Sequence, residues 1–422
     1  MGRLPFPAHN LAPEVVPADR VPQPRPAAGP FAPNTALCGA TRLFEGRVVG
    51  SESVAVAPDG TLWMLDKWGV AHTAEALEGA AGGAGDSADS GAEGVVSGAG
   101  ALRYRLHPQP AAYVGPGRPL GFHFDAAGNL AICDSLKGLM LLERASGGGA
   151  SSSGGITDEA GAPRWRLRCL SNWAAGRPIT YANDLDIAPD GRIYFTDSSI
   201  IPPALNEAPR PWYDTMRSYM LTYLHGGATG RLLCYNPADG STTQLCNGIW
   251  FANGCALASD GSFVAVCETS SMRVRRYWLT GPKAGTLDPV PLIDRLPGWP
   301  DNICQAGDGN FWLCLVLPDM PAARKILGIP WLRSLMASVP ERLQPAKPQW
   351  GCVCKVSPEG EVLQVLMDPT GGHVSHVSAV TEHRGRLFLG NLAKDYVSVL
   401  DLTAVQAAGA DVAAAAAATD VQ

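Results

Sequence analysis

The chain has 422 residues, of which 46 % are hydrophobic and 17 % are charged, and its formal net charge is −6 at pH 7. This composition supplies a large core and excludes a charge-rich disordered protein, and the lack of clustered basic charge excludes a nucleic-acid-binding surface. Glycine (48 residues) and proline (35 residues) are abundant, which predicts many turns.

No run of about 18 apolar residues is present, so no transmembrane helix is predicted. The first residues, MGRLPFPAHN, lack the apolar core of a signal peptide. The 11 cysteines lie mostly inside apolar runs, as Cys133, Cys234 and Cys314 do. We therefore expect buried free thiols rather than a disulfide framework, which favours a reducing compartment.

Four segments have the composition of flexible chain. Residues 1–33 hold nine prolines and are predicted to form an extended leader. Residues 77–101 and 145–162 are rich in Gly, Ser and Ala and are predicted to be flexible insertions, because they contain too few large apolar groups to fold. Residues 403–422 form an Ala-rich tail. The folded domain is therefore expected at residues 34–402.

Within this domain the chain repeats one pattern six times: an apolar run, a tight turn that ends in glycine, and a second apolar run. Such a unit is typical of a two-stranded hairpin, and regularly spaced hairpins indicate the blades of a propeller. We predict an all-β, six-bladed β-propeller with short helical insertions. The turns end at Gly60, Gly128, Gly191, Gly261, Gly309 and Gly385.

Two stretches break the strand pattern and are predicted to be helices that cap one end of the propeller. Residues 212–224 place Met216, Met220 and Tyr223 at helical spacing. Residues 322–339 place their apolar side chains on one face and are interrupted by Pro330. Burial of that face by ordinary packing is the expectation. The basic residues of the second stretch make peripheral membrane contact the alternative; they are Arg324, Lys325 and Arg333.

Counting eight residues back from each turn glycine gives one position in each repeat, and four of the six residues there are acidic or amide. If the strand before each turn is the innermost of its blade, these side chains converge on the central channel. Two buried carboxylates need a partner, and with two amide oxygens they form an all-oxygen site that suits Ca²⁺ better than Mg²⁺ and disfavours Zn²⁺. The alternative is that they only bond the backbone at strand starts. The six positions are Glu52, Leu120, Asn183, Asn253, Asp301 and Val377.

Several runs resemble the strictosidine synthase-like family over about residues 34–402. The resemblance implies a six-bladed propeller related to the calcium-dependent hydrolases of the gluconolactonase and paraoxonase group. It implies that Glu52, Asn253 and Asp301 bind the metal, that Asn183 binds metal or substrate, and that Asn302 is an auxiliary ligand. The runs are LFEGRVVGSESVAV (43–56), YANDLDIAPDGRIYFTDSS (181–199), GRLLCYN (230–236), FANGCALASDGSFVAVCETSSMRVRRYWLTGPKAGT (251–286) and LPGWPDNI (296–303).

The sequence departs from the related enzymes at two positions. Ser378 stands where strictosidine synthases carry a catalytic Glu, which argues against a Pictet–Spengler condensation because a hydroxyl cannot shuttle protons as a carboxylate does. Leu120 stands where paraoxonases carry a catalytic His, and His123 is predicted to be an ordinary strand histidine. Near the channel in the last repeat, His373 or His376 could contact substrate.

The sequence predicts metal-assisted hydrolysis of a small ester or lactone, with an arylesterase-like activity. Ca²⁺ would polarise the carbonyl, and Asp301 and Asn183 would be the catalytic residues. Asn302, Ser378 and His376 are the predicted substrate-binding residues. The alternatives are a condensing synthase and a non-catalytic scaffold with a structural metal. The resemblance adds an expectation of endomembrane association, and no oligomeric state is predicted.

Overall fold

A computed structural model describes residues 11–77, 95–98, 102–145, 165–207, 209–339, 343 and 346–405. Six antiparallel sheets of three to six strands form the six blades, which confirms the predicted all-β, six-bladed propeller. The first strand of each blade contacts the first strands of the neighbouring blades, so that six strands surround a central channel. These are the inner strands that the sequence argument required.

The chain begins in the last blade and then builds the first three. Its first strand is β1 (Thr41–Leu43). Blade one contains β2 (Val54–Val56), β3 (Leu62–Leu65), β4 (Val70–Ala76), β5 (Val96–Ser97), β6 (Tyr104–Leu106) and β7 (Ala112–Tyr113). Blade two contains β8 (Pro119–Phe124), β9 (Leu130–Asp134), β10 (Gly138–Arg144) and β11 (Trp165–Ser171), and a small hairpin follows, β12 (Trp173–Ala174) and β13 (Arg177–Pro178). Blade three contains β14 (Ala182–Ile187) and β15 (Ile193–Asp197), then the hairpin β16 (Ala204–Asn206) and β17 (Trp212–Asp214), the helix α1 (Thr215–His225), and β18 (Gly230–Asn236) and β19 (Ser241–Ile249).

The last three blades follow the same plan. Blade four contains β20 (Ala252–Leu257), β21 (Phe263–Glu268) and β22 (Arg273–Trp278). Blade five contains β23 (Gly298–Gln305) and β24 (Phe311–Pro318), then α2 (Pro321–Lys325) and α3 (Pro330–Ser338), and β25 (Gly351–Val356) and β26 (Val362–Asp368). Blade six contains β27 (Val377–His383), β28 (Arg386–Asn391) and β29 (Val397–Asp401). Short 3₁₀ turns lie at Gly29–Phe31, Ala36–Gly39, Thr269–Ser271 and Ile326–Gly328.

Closure of the ring joins the two ends of the domain. Strand β1 pairs with β29, with Thr41 opposite Val399 and Leu43 opposite Val397, so the sixth blade holds strands from both ends. The six predicted turn glycines all have positive φ, between 69° and 90°, which is why glycine is used there. Large apolar side chains pack between neighbouring blades, and within the described chain all 11 cysteines are free thiols.

Blade six differs from the others in its turn. His383 pairs directly with Arg386, so the connection has only two residues, Arg384 and Gly385, both at positive φ. In blade three the connection is longer, because Ile187 pairs with Ile193. The count of eight from the turn glycine is therefore wrong by one in blade six, where the residue equivalent to the other ring positions is Ser378 and not Val377.

The two predicted helical stretches contain helices, but the helices begin at other residues than predicted. Residues 212–214 form β17 rather than helix, and α1 begins at Thr215 because the Asp214 carboxylate accepts a hydrogen bond from the Arg217 backbone at 2.9 Å. Pro330 does not interrupt a helix but starts α3.

The described part of the leader packs against the domain instead of standing free. The Glu14 backbone N–H donates to the His225 carbonyl oxygen at 2.7 Å, and Phe31 is buried. Most of the predicted insertions 77–101 and 145–162, and of the tail, lie outside the described residues, but Val96–Ser97 pair with β6. Among the helices described, none is long and apolar enough to cross a bilayer.

Candidate metal centre

The ring residues stand at equivalent bulges in the inner strands. In five of the six inner strands the pairing register shifts across a two-residue step that begins with the ring residue. A bulge leaves its residues out of the regular ladder and re-aims their side chains, and bulges are common beside active sites. The repetition of one bulge at one height defines a ring of equivalent positions around the channel. Its members are Glu52, Leu120, Asn183, Asn253, Asp301 and Ser378.

Glycines beside the ring allow the inner strands to approach one another. A Cβ at Gly121 would lie 2.1 Å from Asp184 Oδ1, and a Cβ at Gly254 would lie 2.4 Å from the Cα of Asn302. Both distances are shorter than real Cβ contacts, so a side chain at either position would push adjacent blades apart. The ring is therefore narrow because the sequence has glycine immediately after Leu120 and Asn253.

Four polar ring residues line one cavity at this height: Glu52, Asn183, Asn253 and Asp301. Each is between 1 and 5 % exposed. Asn253 Nδ2 donates to Asp301 Oδ1 at 2.6 Å. Three buried oxygens have no hydrogen-bond partner within the described chain: Glu52 Oε2, Asn183 Oδ1 and Asn253 Oδ1.

Unpartnered buried acceptors are costly, and here they belong to residues that line the same space. A cation with oxygen ligands would satisfy all three oxygens at once, whereas another acceptor or an apolar group would satisfy none. The donor set contains two carboxyl groups and two amides and no sulfur or imidazole, so it fits a hard divalent cation. The residues present therefore fit Ca²⁺.

The buried surroundings of the ring disfavour the ionised forms of Glu52 and Asp301. Burial, followed by the nearby Asp301 carboxylate, raises the pKa of Glu52 well above its usual range. Burial raises the pKa of Asp301 to about 7, although the Asn253 hydrogen bond acts in the opposite direction. Without a cation, the ring would hold protons on its carboxyl groups near neutral pH.

A buried arginine, which the sequence argument missed, balances part of this charge. Arg118 is fully buried immediately before β8, and its positive charge opposes, without cancelling, the rise that burial causes in the pKa of Glu52. Its Nη1 donates to the Gly50 carbonyl oxygen at 2.8 Å, which holds the loop before Glu52. Arg118 lies two residues before Leu120, so strand alternation could have placed it on the channel side.

Helix α1 forms one wall of the cavity and covers it. Its first turns contribute Thr215, Met216 and Tyr219, and the side walls are aromatic and include Tyr181 and Trp299. Tyr219 packs edge-to-face on Trp299, with ring centroids 5.4 Å apart. The cavity measures only about 30 Å³, which accommodates an ion or a water molecule but not an ester. Entry of a molecule as large as an ester into this cavity would require α1 to move.

The remaining predicted site residues lie outside the lining of this cavity. The Ser378 hydroxyl donates to the Glu52 carbonyl oxygen at 2.8 Å and accepts from the Leu392 backbone at 3.1 Å, so it joins blades six and one. Asn302 is buried beside Asp301, and its amide has no partner within the described chain. His376 is buried at positive φ, and burial lowers its pKa to about 4.

A second polar layer lies deeper in the channel. The Asp184 carboxylate accepts from the Cys255 backbone at 3.2 Å, and burial raises its pKa to about 8. At the turn end of the inner strands, His123 and Asp186 line a separate cavity of about 190 Å³. His123 therefore belongs to the far end of the channel, and burial lowers its pKa.

One other cluster of metal-ligating types occurs among the described residues: Cys38, Asp368 and His373. The Asp368 carboxylate accepts from the backbones of His373 and Val374 at 2.7 and 3.1 Å, and from three further donors in the turn that follows β26. These bonds explain the carboxylate fully, so the cluster stabilises a turn.

Comparison with known proteins places the chain among strictosidine synthase-like sequences. A family model described as Strictosidine synthase matches residues 183–282, and one described as Strictosidine synthase-like, N-terminal, matches residues 29–69. Protein STRICTOSIDINE SYNTHASE-LIKE 3 of Arabidopsis thaliana is 36 % identical over 293 residues, which are 68 % of this chain and 67 % of that protein. Adipocyte plasma membrane-associated protein of Salmo salar is 28 % identical over 396 residues, covering 91 % of this chain and 83 % of that protein.

The solved structures that resemble the chain share its fold. A gluconolactonase from Xanthomonas campestris superposes with a TM-score of 0.50 at 18 % identity, covering 94 % of this chain and 99 % of that chain. A second structure, of a protein described as a gluconolactonase by assignment only, has a TM-score of 0.50 at 15 % identity and covers 86 % of this chain and 92 % of that chain.

Proposed function

The chain belongs to the strictosidine synthase-like family, and we propose that it is a calcium-dependent hydrolase of small esters or lactones that reacts at the ring of inner-strand residues. One observation carries the proposal: three unpartnered oxygens and an ionisable Asp301 line one buried cavity. The gluconolactonase that shares the fold is named for a lactone substrate, and this agrees with the chemistry that the ring supports.

Glu52, Asn183, Asn253 and Asp301 would hold the cation. When bound, Ca²⁺ would polarise a substrate carbonyl and stabilise the negative charge that develops on its oxygen. The rest of the chemistry belongs to the chain itself. Asn253 orients Asp301 through the 2.6 Å hydrogen bond, and the ionised Asp301 carboxylate can accept a proton from an attacking water.

The other residues of the cavity act by binding and by exclusion of water. Asn183 Oδ1 is an acceptor that can orient either the cation or the attacking water. The aromatic wall of Tyr181, Tyr219 and Trp299 would contact the apolar part of the substrate and keep bulk water away from the ring. An ester or lactone with an apolar group fits this division between a polar floor and an aromatic wall.

A condensing synthase is the less favoured alternative. The family's catalytic Glu would stand at Ser378, whose hydroxyl is already engaged by the Glu52 carbonyl and the Leu392 backbone. No carboxylate is then available at this position to move protons during a condensation.

The proposal is tested by the turnover of phenyl acetate and of a small lactone, measured with and without chelator and with added Ca²⁺. We expect turnover that chelation abolishes and Ca²⁺ restores. Asp301→Asn should lower turnover by at least 100-fold. Asp186→Asn is the matched control, because Asp186 is another carboxyl group with a raised pKa but lies at the far end of the channel. Turnover by the Asp186→Asn variant should stay within twofold of the parent.

The alternatives give different results. Turnover that is unchanged by chelator and by Asp301→Asn would contradict the proposal. A melting temperature that depends on Ca²⁺ without turnover of either substrate class would indicate a scaffold with a structural metal. Condensation of tryptamine with an aldehyde by the unmodified protein would support a synthase.

A further inference from the structure

Two cations and two indole rings form a cluster at the ring end of the channel. Lys67 and Trp68 lie in the turn between β3 and β4. Arg210 and Trp212 belong to the segment that leads through β17 into α1. Because β2 and β3 run antiparallel, the turn after β3 is at the same end of blade one as the ring. We refer to these four residues as the basic aromatic cluster.

The cations of the cluster contact the faces of the indoles. The Lys67 ammonium nitrogen lies 4.3 Å from the centre of the Trp212 ring and 4.8 Å from that of Trp68. The Arg210 guanidinium carbon lies 3.9 Å from the centre of the Trp68 ring. Trp68 therefore contacts both cations and holds them close together despite their like charge.

The hydrogen-bond donors of the cluster lack acceptors. Lys67 and Arg210 form no side-chain hydrogen bond and no ion pair with any residue that the structure describes, although Lys67 is partly buried. The indole N–H of Trp68 is buried and also has no acceptor within the described chain. Contact with a ring face stabilises a cation but leaves its N–H groups without an oxygen, and unsatisfied charged donors cost free energy.

The carboxyl groups in the neighbourhood are engaged by other donors. Asp66 accepts from two backbone N–H groups of its own turn at 2.9 Å and lies 3.3 Å from His72 Nε2. Asp214 accepts from a backbone N–H in the first turn of α1 at 2.9 Å. Neither carboxylate forms an ion pair with Lys67, so both stabilise the local backbone and leave the cluster with an excess of positive charge.

A third cation lies directly behind the cluster. A Cβ added at Gly50 would lie 3.3 Å from Lys67 Cβ and 3.4 Å from Arg118 Nη2, so the two side chains approach the same point. Arg118 is fully buried, and its Nε has no acceptor within the described chain. Burial, followed by the charge of Arg118, lowers the pKa of Lys67. The positive charges therefore act on one another, and an anion beside Lys67 would be attracted by all three.

We propose that Lys67 and Arg210 bind an oxyanionic group of a ligand, a phosphate or a carboxylate, with Arg118 behind them. The oxygens of such a group accept from the donors that the chain leaves unsatisfied. A guanidinium that stacks on an indole keeps its in-plane N–H groups for an acceptor, and their spacing matches two oxygens of one phosphate or carboxylate. The site is separate from the ring cavity, and the inference does not depend on the proposed hydrolysis.

Calorimetric titration of the metal-free full chain tests this inference, with inorganic phosphate and succinate as separate probes at constant ionic strength. We expect one binding site for phosphate. Tighter binding of phosphate than of succinate would identify a phosphate-bearing ligand, and the reverse order would identify a carboxylate. Lys67→Met keeps the stem of the side chain and removes its charge. This variant and Arg210→Gln should each weaken anion binding by about fivefold or more.

A matched variant controls for the loss of one lysine that contacts an indole. Lys355 lies 5.1 Å from the centre of the Trp312 ring, but its ammonium is already paired with Asp308 at 2.7 Å. Lys355→Met should therefore bind both anions as the parent does. The melting temperature of each variant shows whether it is folded, and because Arg210 is exposed, Arg210→Gln serves as the test if Lys67→Met loses stability.

Two results would overturn the inference. One is the absence of heat of binding for either anion at millimolar concentrations. The other is an anion affinity that is the same in the parent, Lys67→Met and Arg210→Gln, which would show that the anion binds elsewhere and that the cluster only stabilises the packing of blade one against the segment before α1.

Discussion

Lowering the pH from 8 to 6 should weaken Ca²⁺ binding about tenfold, because the Asp301 carboxyl group must lose its proton before it can act as a ligand. Its pKa is about 7, so the protonated fraction rises from about one tenth at pH 8 to about nine tenths at pH 6. At pH 5 the loss should reach about 100-fold. The raised pKa of Glu52 acts in the same direction and can only steepen the dependence.

The unfolding free energy of the metal-free protein should instead fall as the pH rises. The folded-state pKa of Asp301 is raised above its unfolded value, so between about pH 4 and 7 the folded state binds a proton that the unfolded state lacks. This contribution is present at low pH and is lost as the pH rises towards 7. The loss is at most about 1.4 kcal/mol of unfolding free energy per pH unit for one group and becomes smaller near pH 7, so it amounts to roughly 2 kcal/mol between pH 5 and 7.

Isothermal titration calorimetry in two buffers of different ionisation enthalpy measures both the Ca²⁺ affinity and the protons released. We expect about one proton released at pH 6 and close to none from Asp301 at pH 8. Asp301→Asn should bind Ca²⁺ weakly and lose this contribution, and its metal-free form should melt higher than the parent at pH 8, because a buried charge has been removed. A Ca²⁺ affinity that does not change between pH 8 and 6 would refute the reasoning.

Three further substitutions probe the ring and its cover. Ser378→Glu should lower the unfolding free energy by several kcal/mol in a denaturant titration, because it buries a carboxylate and removes the hydrogen bond to the Glu52 carbonyl; unchanged stability would contradict this placement. Gly121→Ala should lower Ca²⁺ affinity in calorimetry, because its methyl group would displace Asp184 and widen the channel, whereas Gly328→Ala, with no atom within 4 Å of the added Cβ and no positive φ, should leave the affinity unchanged. Tyr219→Ala should enlarge the cavity and raise turnover of bulkier aryl esters relative to phenyl acetate in a rate assay, and an unaltered ratio would show that Tyr219 does not limit access.

The fold could be predicted because its main signals are local. The last residue of each turn has a positive φ, which favours glycine, and the strands on each side are buried, which requires apolar residues. The six units can therefore be counted from residue types alone. The ring could be predicted for the same reason: five inner strands keep an equal number of residues between the ring position and the turn. The count of eight residues was wrong in blade six, because the turn there has only two residues and the inner strand is correspondingly longer.

What could not be predicted depends on contacts between distant segments. The closure of the cavity by Met216 and Tyr219 follows from where α1 packs, and periodicity within α1 does not contain that information. The prediction that ordinary packing buries the apolar face of residues 322–339 holds for Leu327 and Met336 but is wrong for Trp331 and Leu335, which are exposed. Arg333 is buried instead and donates to carbonyl oxygens at the end of α1, more than 100 residues earlier in the chain, which no pattern within residues 322–339 indicates.

The central claim, that the ring holds a cation, is tested most directly by a crystal structure of the protein grown with Ca²⁺. The expected result is an anomalous peak inside the ring, with ligand distances of about 2.3–2.6 Å to oxygens of Glu52, Asn183, Asn253 and Asp301. A peak that is absent at saturating Ca²⁺ and pH 8, with a water molecule or an amide–carboxyl hydrogen-bond network in its place, would contradict it.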